Sequence, residues 1–236
     1  MTLKLYDLCG SNADVRFSPF CWRSKLALKH KGLDFDAVPW RFTDKDAIAF
    51  SGQGRVPVLV DTAHDDKTVS DSWSIATYLD EAYPDRPMLM KDEAARAAAK
   101  TIQAWTDGLL FVPLRPIAVK RVWDLLDPND QTYFRETREA ALKQPLEEVS
   151  SEAAIADGYK KLGQTLRTIE PTLTDHAFLG GAEPFYGDYV VFGTLMWAHA
   201  ILPNHSLDAD TASAAWFERM LDLYGGYARN APRAAA

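Results

Sequence analysis

The sequence predicts two domains of different class: an α/β domain followed by an all-helical domain. Three observations lead to this prediction. Residues 1–84 alternate short strand-like and helix-like pieces, the pattern after residue 92 is helical almost throughout, and the segment YPDRPMLM between them has two prolines and no periodicity. We therefore expect domains at 1–84 and 93–236, joined by a linker at 85–92.

The first domain's elements follow from its local patterns. The expected strands are short apolar runs bounded by turn residues, at 3–6, 35–40, 56–60 and 68–69. A long loop, CGSNADVRF, precedes a helix at 19–32, and a polar, irregular stretch fills 41–54. A second helix is expected at 71–83. This order, βαβ–loop–ββα, predicts a parallel strand pair followed by a hairpin.

The second domain is expected to consist of amphipathic helices around one apolar helix. Residues 92–126 predict a long helix that Pro113 and Pro116 break or kink. The charged stretches 130–150 and 152–175 and the final stretch 211–224 have amphipathic patterns, and 185–202 is apolar and central. The tail GGYARNAPRAAA is expected to be mobile.

Composition limits the class of function. The 236 residues are 47% hydrophobic and 25% charged, so the chain can bury a core without metals or disulfides. The net charge of −7 argues against a nucleic acid or an anionic membrane surface as the main partner. The apolar run 190–202 is shorter than the roughly 20 residues of a membrane span. We find no phosphate loop, dinucleotide fingerprint or metal-ligand spacing.

The cysteines and the first residues indicate the compartment. Cys9 and Cys21 are too few for a disulfide framework, and they predict a reducing environment. The opening MTLKLYDL lacks the apolar core and small-residue cleavage site of a signal peptide. We therefore expect a cytoplasmic protein.

The start of the first helix, FSPFCW, supports two interpretations. Ser18 is a favoured N-cap, and Pro19 suits the first helical position because its missing N–H is no loss there. A helix start also carries unpaired N–H groups and a partial positive charge, which suit an anion. Ser18 is the natural hydroxyl donor, with the amides of Phe20 and Cys21 behind it.

Several of these features resemble the glutathione transferase family. Val56-Pro57 before a strand looks like its cis-proline, and Asp71-Ser72 looks like the acidic-serine pair that holds the γ-glutamyl end of glutathione. Ser18 to Cys21 lie where the family places a thiol-activating serine or a redox cysteine. The resemblance covers essentially the whole chain. It implies the glutathione transferase fold, a thioredoxin-like N-terminal domain plus an all-α C-terminal domain.

The core helix also resembles the family, with one departure. Asp188 is similar to the family's buried aspartate near the start of that helix. The family often has Ser or Thr three residues earlier, as part of a capping box. Here that position is Phe185, so we expect this helix start to be satisfied differently.

A narrower resemblance concerns the first 90 residues. The segments ALKHKGLDFDAVP and SDSWSIATYLDEAYPDRPML are similar to the bacterial glutathione-dependent β-aryl etherases and their fungal relatives. This resemblance implies glutathione as co-substrate, a small aromatic second substrate and a homodimer. In the implied reaction, the glutathione thiolate displaces a phenolate from a β-aryl ether next to an aromatic ketone, as in lignin degradation.

Three other functions stay open at this point. One is a general detoxifying transferase acting on electrophiles. Another is a non-catalytic, ligandin-like binder of hydrophobic aromatics, and a third is thiol–disulfide exchange through Cys21. Cys21 also has a structural interpretation as a buried core residue.

The chemistry of the residues, together with the resemblance, gives expected roles to named residues. The thiolate donor is Ser18, with Ser11 and Asn12 on the long loop as alternates. The alternative interpretation of the charged candidates is a solvated surface side chain, and that of the aromatic candidates is core packing. The expected glutathione contacts are Arg41, Gln53, Arg55, Val56, Pro57, Asp71 and Ser72. The expected apolar pocket is lined by Phe17, Trp105, Phe111, Leu114, Arg115, Trp123 and Trp197, with Arg115 stabilising the departing phenolate.

Overall fold

The computed structural model describes residues 3–204 and 207–235, and within them it contains four strands and ten α-helices. The first part is α/β, as predicted. Its two helices are α1 (Pro19–His30) and α2 (Ser72–Ala82). Its strands are β1 (Leu3–Leu8), β2 (Phe35–Trp40), β3 (Val58–Asp61) and β4 (Lys67–Ser70).

The strands form one mixed sheet in the order β2-β1-β3-β4. β1 and β2 are parallel, with Leu3 opposite Phe35, and α1 makes the crossover between them. β3 and β4 form the predicted hairpin, antiparallel to β1. The parallel pair followed by a hairpin is therefore confirmed. β3 begins after Pro57 rather than at Val56, since proline cannot donate to the ladder.

The second part is all-helical, as predicted. Its central helix α9 is buried along nearly its whole length and packs against α1, which joins the two parts of the chain. The bounds are α3 (Glu93–Trp105), α4 (Phe111–Asp124), α5 (Pro128–Leu142), α6 (Leu146–Val149), α7 (Glu152–Leu166), α8 (Glu170–Asp175), α9 (Tyr186–Ile201) and α10 (Ala212–Gly226).

The long helix expected at 92–126 breaks earlier than the prolines suggest. A π-helical turn at Thr106–Leu110 separates α3 from α4, and Pro113 and Pro116 lie inside α4. A proline disturbs the helix at the carbonyl four residues before it, because that carbonyl loses its donor and meets the ring. Leu109 stands four residues before Pro113, inside the π-helical turn. The distortion therefore precedes the proline.

The Asp188 side chain accepts backbone amides at and before the start of α9 that would otherwise lack an acceptor. Its carboxylate accepts the amides of Phe185 at 3.1 Å, Leu179 at 2.8 Å and Gly180 at 3.2 Å. The Trp216 indole N–H donates to the same carboxylate at 2.9 Å. Phe185 has no side-chain acceptor, and its carbonyl receives the Asp188 amide instead. Half of the capping box is thus retained without a hydroxyl.

The C-terminal tail is docked rather than mobile, which corrects the expectation from its composition. The Arg233 guanidinium donates to the carbonyls of His199 and Leu202, both at 2.7 Å, and the Ala234 amide donates to Ala200 at 2.8 Å. These carbonyls end α9 and lack intrahelical donors. The tail therefore acts as a C-terminal cap for the central helix. No helix in the described ranges is both long and apolar enough to cross a bilayer.

Candidate functional site between the two parts of the chain

Ser18 is the N-cap of α1 and lines a cleft between the α/β and helical parts. Its Oγ accepts the Cys21 amide at 3.2 Å, which is the capping bond that the sequence predicts. Within residues 3–204 and 207–235 the Ser18 hydroxyl donates to no oxygen, although it interacts with the Cys21 thiol and lowers the pKa of that group. The Phe20 amide has no acceptor in the same ranges. The helix start therefore caps itself and still presents an O–H donor and an N–H donor. The two interpretations of this segment are compatible.

The cysteines are buried and free. Cys9 and Cys21 both have no exposed surface, and neither forms a disulfide. Burial raises the pKa of the Cys21 thiol well above its ordinary value, and the nearby Asp7 carboxylate raises it further. Burial also raises the pKa of Cys9. A buried protonated thiol is a poor nucleophile, so the geometry favours the structural interpretation of Cys21.

A second group of predicted residues lies at the edge of β3. The Val56-Pro57 peptide bond is cis, as the resemblance implied. In the described part of the chain, neither the N–H nor the C=O of Val56 makes a hydrogen bond. The Pro57 carbonyl accepts the Asp71 amide at 3.3 Å, so the Val-Pro and Asp-Ser segments are neighbours. The unused backbone groups of Val56 suit an extended peptide that adds alongside it.

Asp71 adopts a conformation that favours glycine, with φ of 78°. Its carboxylate caps α2 by accepting the amides of Trp73 at 2.9 Å and Ser74 at 3.1 Å. Ser72 is buried, and its carbonyl accepts the Tyr186 hydroxyl from α9 at 2.7 Å. Backbone strain of this kind concentrates at binding sites, where surrounding contacts hold it in place.

The cleft has a volume of about 730 Å³, which is within the range of small-molecule sites. The Phe20 and Phe111 rings stack with centroids 5.7 Å apart, and Trp197 continues this wall 5.9 Å from Phe111. The Arg23 guanidinium lies beneath, 4.7 Å from the Phe20 centroid. The predicted residues that line the cleft are Phe17, Ser18, Arg55, Val56, Phe111, Arg115 and Trp197.

Three residues expected in the apolar pocket lie elsewhere. Leu114 has no exposed surface and is part of the core, although the next residue of α4, Arg115, lines the cleft. Trp105 packs against the same core at the end of α3. The Trp123 indole donates to the Gln131 carbonyl at 3.1 Å. Each is an aromatic or apolar helix residue for which core packing was the alternative interpretation.

The alternate thiolate donors and five expected glutathione contacts also lie outside the cleft lining. These five contacts are Arg41, Gln53, Pro57, Asp71 and Ser72. The Ser11 hydroxyl donates to the Leu125 carbonyl at 3.0 Å, and the Asn12 side chain accepts the Asp14 amide at 2.9 Å. Arg41 pairs with Asp127 at 3.4 Å. The Gln53 backbone N–H donates a hydrogen bond to the Ser51 hydroxyl. The Ser11 hydroxyl thus donates to a backbone carbonyl, whereas the Ser18 hydroxyl donates to no oxygen in the described ranges.

Two further walls of the cleft, contributed by α5 and by the chain before β3, were not predicted from the sequence. Lys45 lines the cleft and donates to the Gly54 carbonyl at 2.7 Å. The α5 residues of the cleft share one helical face, in pairs four residues apart: Tyr133, Phe134, Thr137, Arg138, Ala141 and Leu142. The four-residue spacing could have predicted this wall, because it places an aromatic pair and the residues that follow it on one face of the helix.

The site's chemistry is that of anion binding beside an aromatic surface. Its donors are a hydroxyl, a helix-start amide and several cations, and its walls are aromatic. No group of three or more His, Cys, Asp or Glu in the described ranges could hold a metal ion. Such a site can stabilise a thiolate and hold a flat aromatic molecule next to it.

Two family models match the chain. Residues 97–224 match the C-terminal domain of glutathione S-transferase, which is more than half of the chain. Residues 17–82 match the N-terminal domain of glutathione S-transferase. The two matches fall on the helical part and on the α/β part.

Individual relatives are distant but extend over much of the chain. Glutathione S-transferase U22 of Arabidopsis thaliana is 25% identical over 199 residues, 82% of this chain and 76% of the relative. A glutathione S-transferase-like protein of Aspergillus flavus is 32% identical over 142 residues, 55% of this chain and half the length of that relative. A glutathione S-transferase of Ceriporiopsis subvermispora, solved in complex with glutathione, superposes with a TM-score of 0.84 at 24% identity. It covers 96% of this chain and 98% of its own.

Proposed function

The chain belongs to the glutathione S-transferase family, and on that premise we propose that it transfers glutathione to an aromatic electrophile. Residues 1–84 bind glutathione in this proposal, and residues 93–236 supply the wall for the second substrate. The observation that carries the proposal is the Ser18 hydroxyl, which lines the cleft and donates to no oxygen among the described residues.

Ser18 is proposed to stabilise the glutathione thiolate. A thiol with an ordinary pKa of about 8.5 is mostly protonated at neutral pH, and the thiolate is the nucleophile. The Ser18 hydroxyl, the free Phe20 amide and the positive end of α1 all favour the anion. The Cys21 amide orients the hydroxyl by donating to its oxygen. No general base is needed in this arrangement, because the helix start itself lowers the pKa of the thiol.

The rest of glutathione is proposed to extend along the edge of β3. The unused N–H and C=O of Val56 pair with the cysteinyl backbone. The start of α2 at Asp71 and Ser72 receives the γ-glutamyl end, where the Asp71 carboxylate attracts its ammonium group. Lys45 and Arg55, both in the cleft, are positioned for the glycyl carboxylate.

The finer proposal is cleavage of β-aryl ethers next to an aromatic ketone. The thiolate forms a C–S bond at the carbon that bears the ether, the C–O bond breaks, and the electron pair leaves with the phenolate. Arg115 lines the cleft, exposed to solvent, where its charge can stabilise that phenolate. The support for this specificity is the similarity of the two N-terminal segments to the β-aryl etherases, together with an aromatic wall suited to two rings.

The test is phenol release from a fluorogenic β-aryl ether ketone, with and without glutathione. The proteins are the wild type, Ser18→Ala and Ser11→Ala. We expect glutathione-dependent release that falls at least about tenfold in Ser18→Ala, since a hydrogen bond to a charged group is lost. Loss in Ser11→Ala with full activity in Ser18→Ala would transfer the donor role to Ser11 and contradict the proposal.

Two other functions are distinguished by also measuring aryl halide turnover and the binding of aromatic ligands. Turnover of a simple aryl halide without ether cleavage indicates a general detoxifying transferase. Binding of aromatics that is unchanged in Ser18→Ala, with no turnover by any variant, indicates a ligandin-like binder. The homodimer and the cytoplasmic location stay predictions, and light scattering on the purified chain tests the first.

A further inference from the structure

The cleft has an unbalanced charge. Four of its lining residues are cationic, namely Lys45, Arg55, Arg115 and Arg138, and none of its lining residues is Asp or Glu. The chain as a whole has 33 acidic and 26 basic residues, so this local excess opposes the overall balance. None of the four makes a salt bridge with any carboxylate in the described ranges. The cleft therefore attracts anions.

Glutathione accounts for only part of this excess. In the proposed binding mode its γ-glutamyl carboxylate lies at the start of α2, so only the glycyl carboxylate reaches the cleft. Lys45 and Arg55 belong to the same loop region as Val56 and are placed to bind that group. Arg115 on α4 and Arg138 on α5 belong to the helical part of the chain. These two arginines are left without an anion.

Arg138 is the more strongly constrained of the two. Its guanidinium lies 4.7 Å from the Phe134 ring centroid and 5.4 Å from that of Phe42, so it packs against two neighbouring aromatic rings. Among the described residues its only hydrogen-bond acceptor is the Thr137 hydroxyl, at 2.9 Å. The guanidinium carries five N–H donors, so most of them have no acceptor.

The position of this guanidinium is costly without an anion. Burial lowers the pKa of Arg138, and the positive charge of Arg55 lowers it further, while Tyr133 acts in the opposite direction. A half-buried cation is stable where a carboxylate pairs with it, and here the chain provides none. A planar fork packed against aromatic rings can bind a carboxylate through two parallel hydrogen bonds.

We infer that the second ligand of the cleft is an aromatic carboxylate, whose acid group is bound by Arg138. The inference rests on the proposed function, because that function places glutathione beside Val56 and leaves the α5 wall to the other substrate. The aromatic ring lies against Phe111 and Trp197, and the carboxylate meets the guanidinium on the α5 side. Arg115 adds a second positive charge to the same cleft.

The test compares the binding of two inert probes, 4-phenoxybenzoate and its uncharged amide 4-phenoxybenzamide, by calorimetry. S-methylglutathione is present throughout, so that the glutathione site is filled and the benzoate cannot occupy the place of the glycyl carboxylate. The proteins are the wild type, Arg138→Gln, Arg138→Lys and Arg167→Gln. Arg167 ends α7 outside the cleft lining, and its exposed side chain makes the Arg167→Gln variant a control for the loss of one positive charge.

We expect the wild type to bind the benzoate at least about tenfold more tightly than the amide. Arg138→Gln abolishes this preference, Arg138→Lys retains part of it, and Arg167→Gln retains it fully. Glutathione binds Arg138→Gln as it binds the wild type.

Three results would overturn the inference. The wild type could bind acid and amide equally, Arg138→Gln could keep the preference, or Arg138→Gln could weaken glutathione as much as the benzoate. The last result assigns Arg138 to the glycyl carboxylate. Neither probe has a leaving group, so the titration is interpretable even if phenol release from a β-aryl ether ketone fails.

Discussion

The Asp130 carboxylate on α5 accepts the Thr43 amide at 2.9 Å and the Thr43 hydroxyl at 2.7 Å. The Phe42 amide donates to its other oxygen at 3.0 Å. Asp130 has no exposed surface, so these bonds form away from water. They attach the loop after β2, which carries the cleft residues Phe42 and Lys45, to the helix that carries Arg138. One carboxylate thus fixes the spacing between two walls of the cleft.

Replacing this carboxylate is expected to destabilise the protein. Asp130→Ala leaves two backbone amides and a hydroxyl without an acceptor, and we expect a loss of about 2 to 4 kcal/mol in the free energy of unfolding. Thr43→Val removes one bond and keeps both amide bonds, so its loss is expected to be about 1 kcal/mol. Urea denaturation of the three proteins measures both. Equal losses in the two variants would show that the backbone amides do not depend on Asp130.

The effect of Ser18→Ala is expected to depend on pH. Loss of the hydroxyl bond raises the pKa of the bound glutathione thiol by about one to two units. The rate of the wild type then exceeds that of the variant most strongly at low pH, where the wild type forms much more thiolate. The two rates converge as pH rises above the variant's thiol pKa. Rate profiles and the ultraviolet absorbance of the thiolate measure this, and a constant ratio at all pH values would instead indicate a role in positioning the second substrate.

The local elements were predictable from the sequence because their signals are local. The strand at 35–40 follows the turn residues Gly32 and Asp34, and its predicted and observed bounds agree. The helix start at Ser18-Pro19 combines two positional preferences at adjacent residues, which leaves little choice of register. The apolar run of α9 predicts burial on all sides, and the structure confirms it.

The walls of the cleft were less predictable, because they depend on which side chains of a helix face the cleft and which face the core. Leu114 and Arg115 are adjacent on α4, and the sequence does not say that the leucine enters the core. Arg138 belongs to a charged amphipathic helix, where a cation is usually a solvated side chain. Its place over Phe42 arises from packing between parts of the chain about one hundred residues apart, and no local pattern records that.

The cysteines are expected to be unreactive in the folded protein. Both side chains are buried, and burial raises the pKa of each thiol. Ellman's reagent should therefore label neither Cys9 nor Cys21 until the protein is unfolded, and a denatured sample serves as the control for two accessible thiols. The wild type should also fail to reduce a glutathione mixed disulfide. Rapid labelling of one thiol, together with disulfide reduction that Cys21→Ser abolishes, would establish the redox function instead.

Gly193 on α9 is expected to set the position of the α1 start, where we propose that the glutathione thiolate binds. A Cβ added there would lie 2.8 Å from the Pro19 carbonyl oxygen and 3.0 Å from the Arg23 amide nitrogen, both of them backbone atoms of α1. Gly193→Ala therefore forces α1 away from α9, and overpacking of this kind costs about 1 to 3 kcal/mol. Because Pro19 follows Ser18 directly, we also expect glutathione-dependent turnover to fall.

Gly163 on α7 offers the matched control for this prediction. A Cβ there meets nothing within 4 Å, so Gly163→Ala is expected to stabilise the protein by about 0.5 to 1 kcal/mol and leave turnover unchanged. Thermal unfolding and calorimetric titration with glutathione compare the two variants. If Gly193→Ala binds glutathione and melts as Gly163→Ala does, the close contact between the helices does not position Ser18.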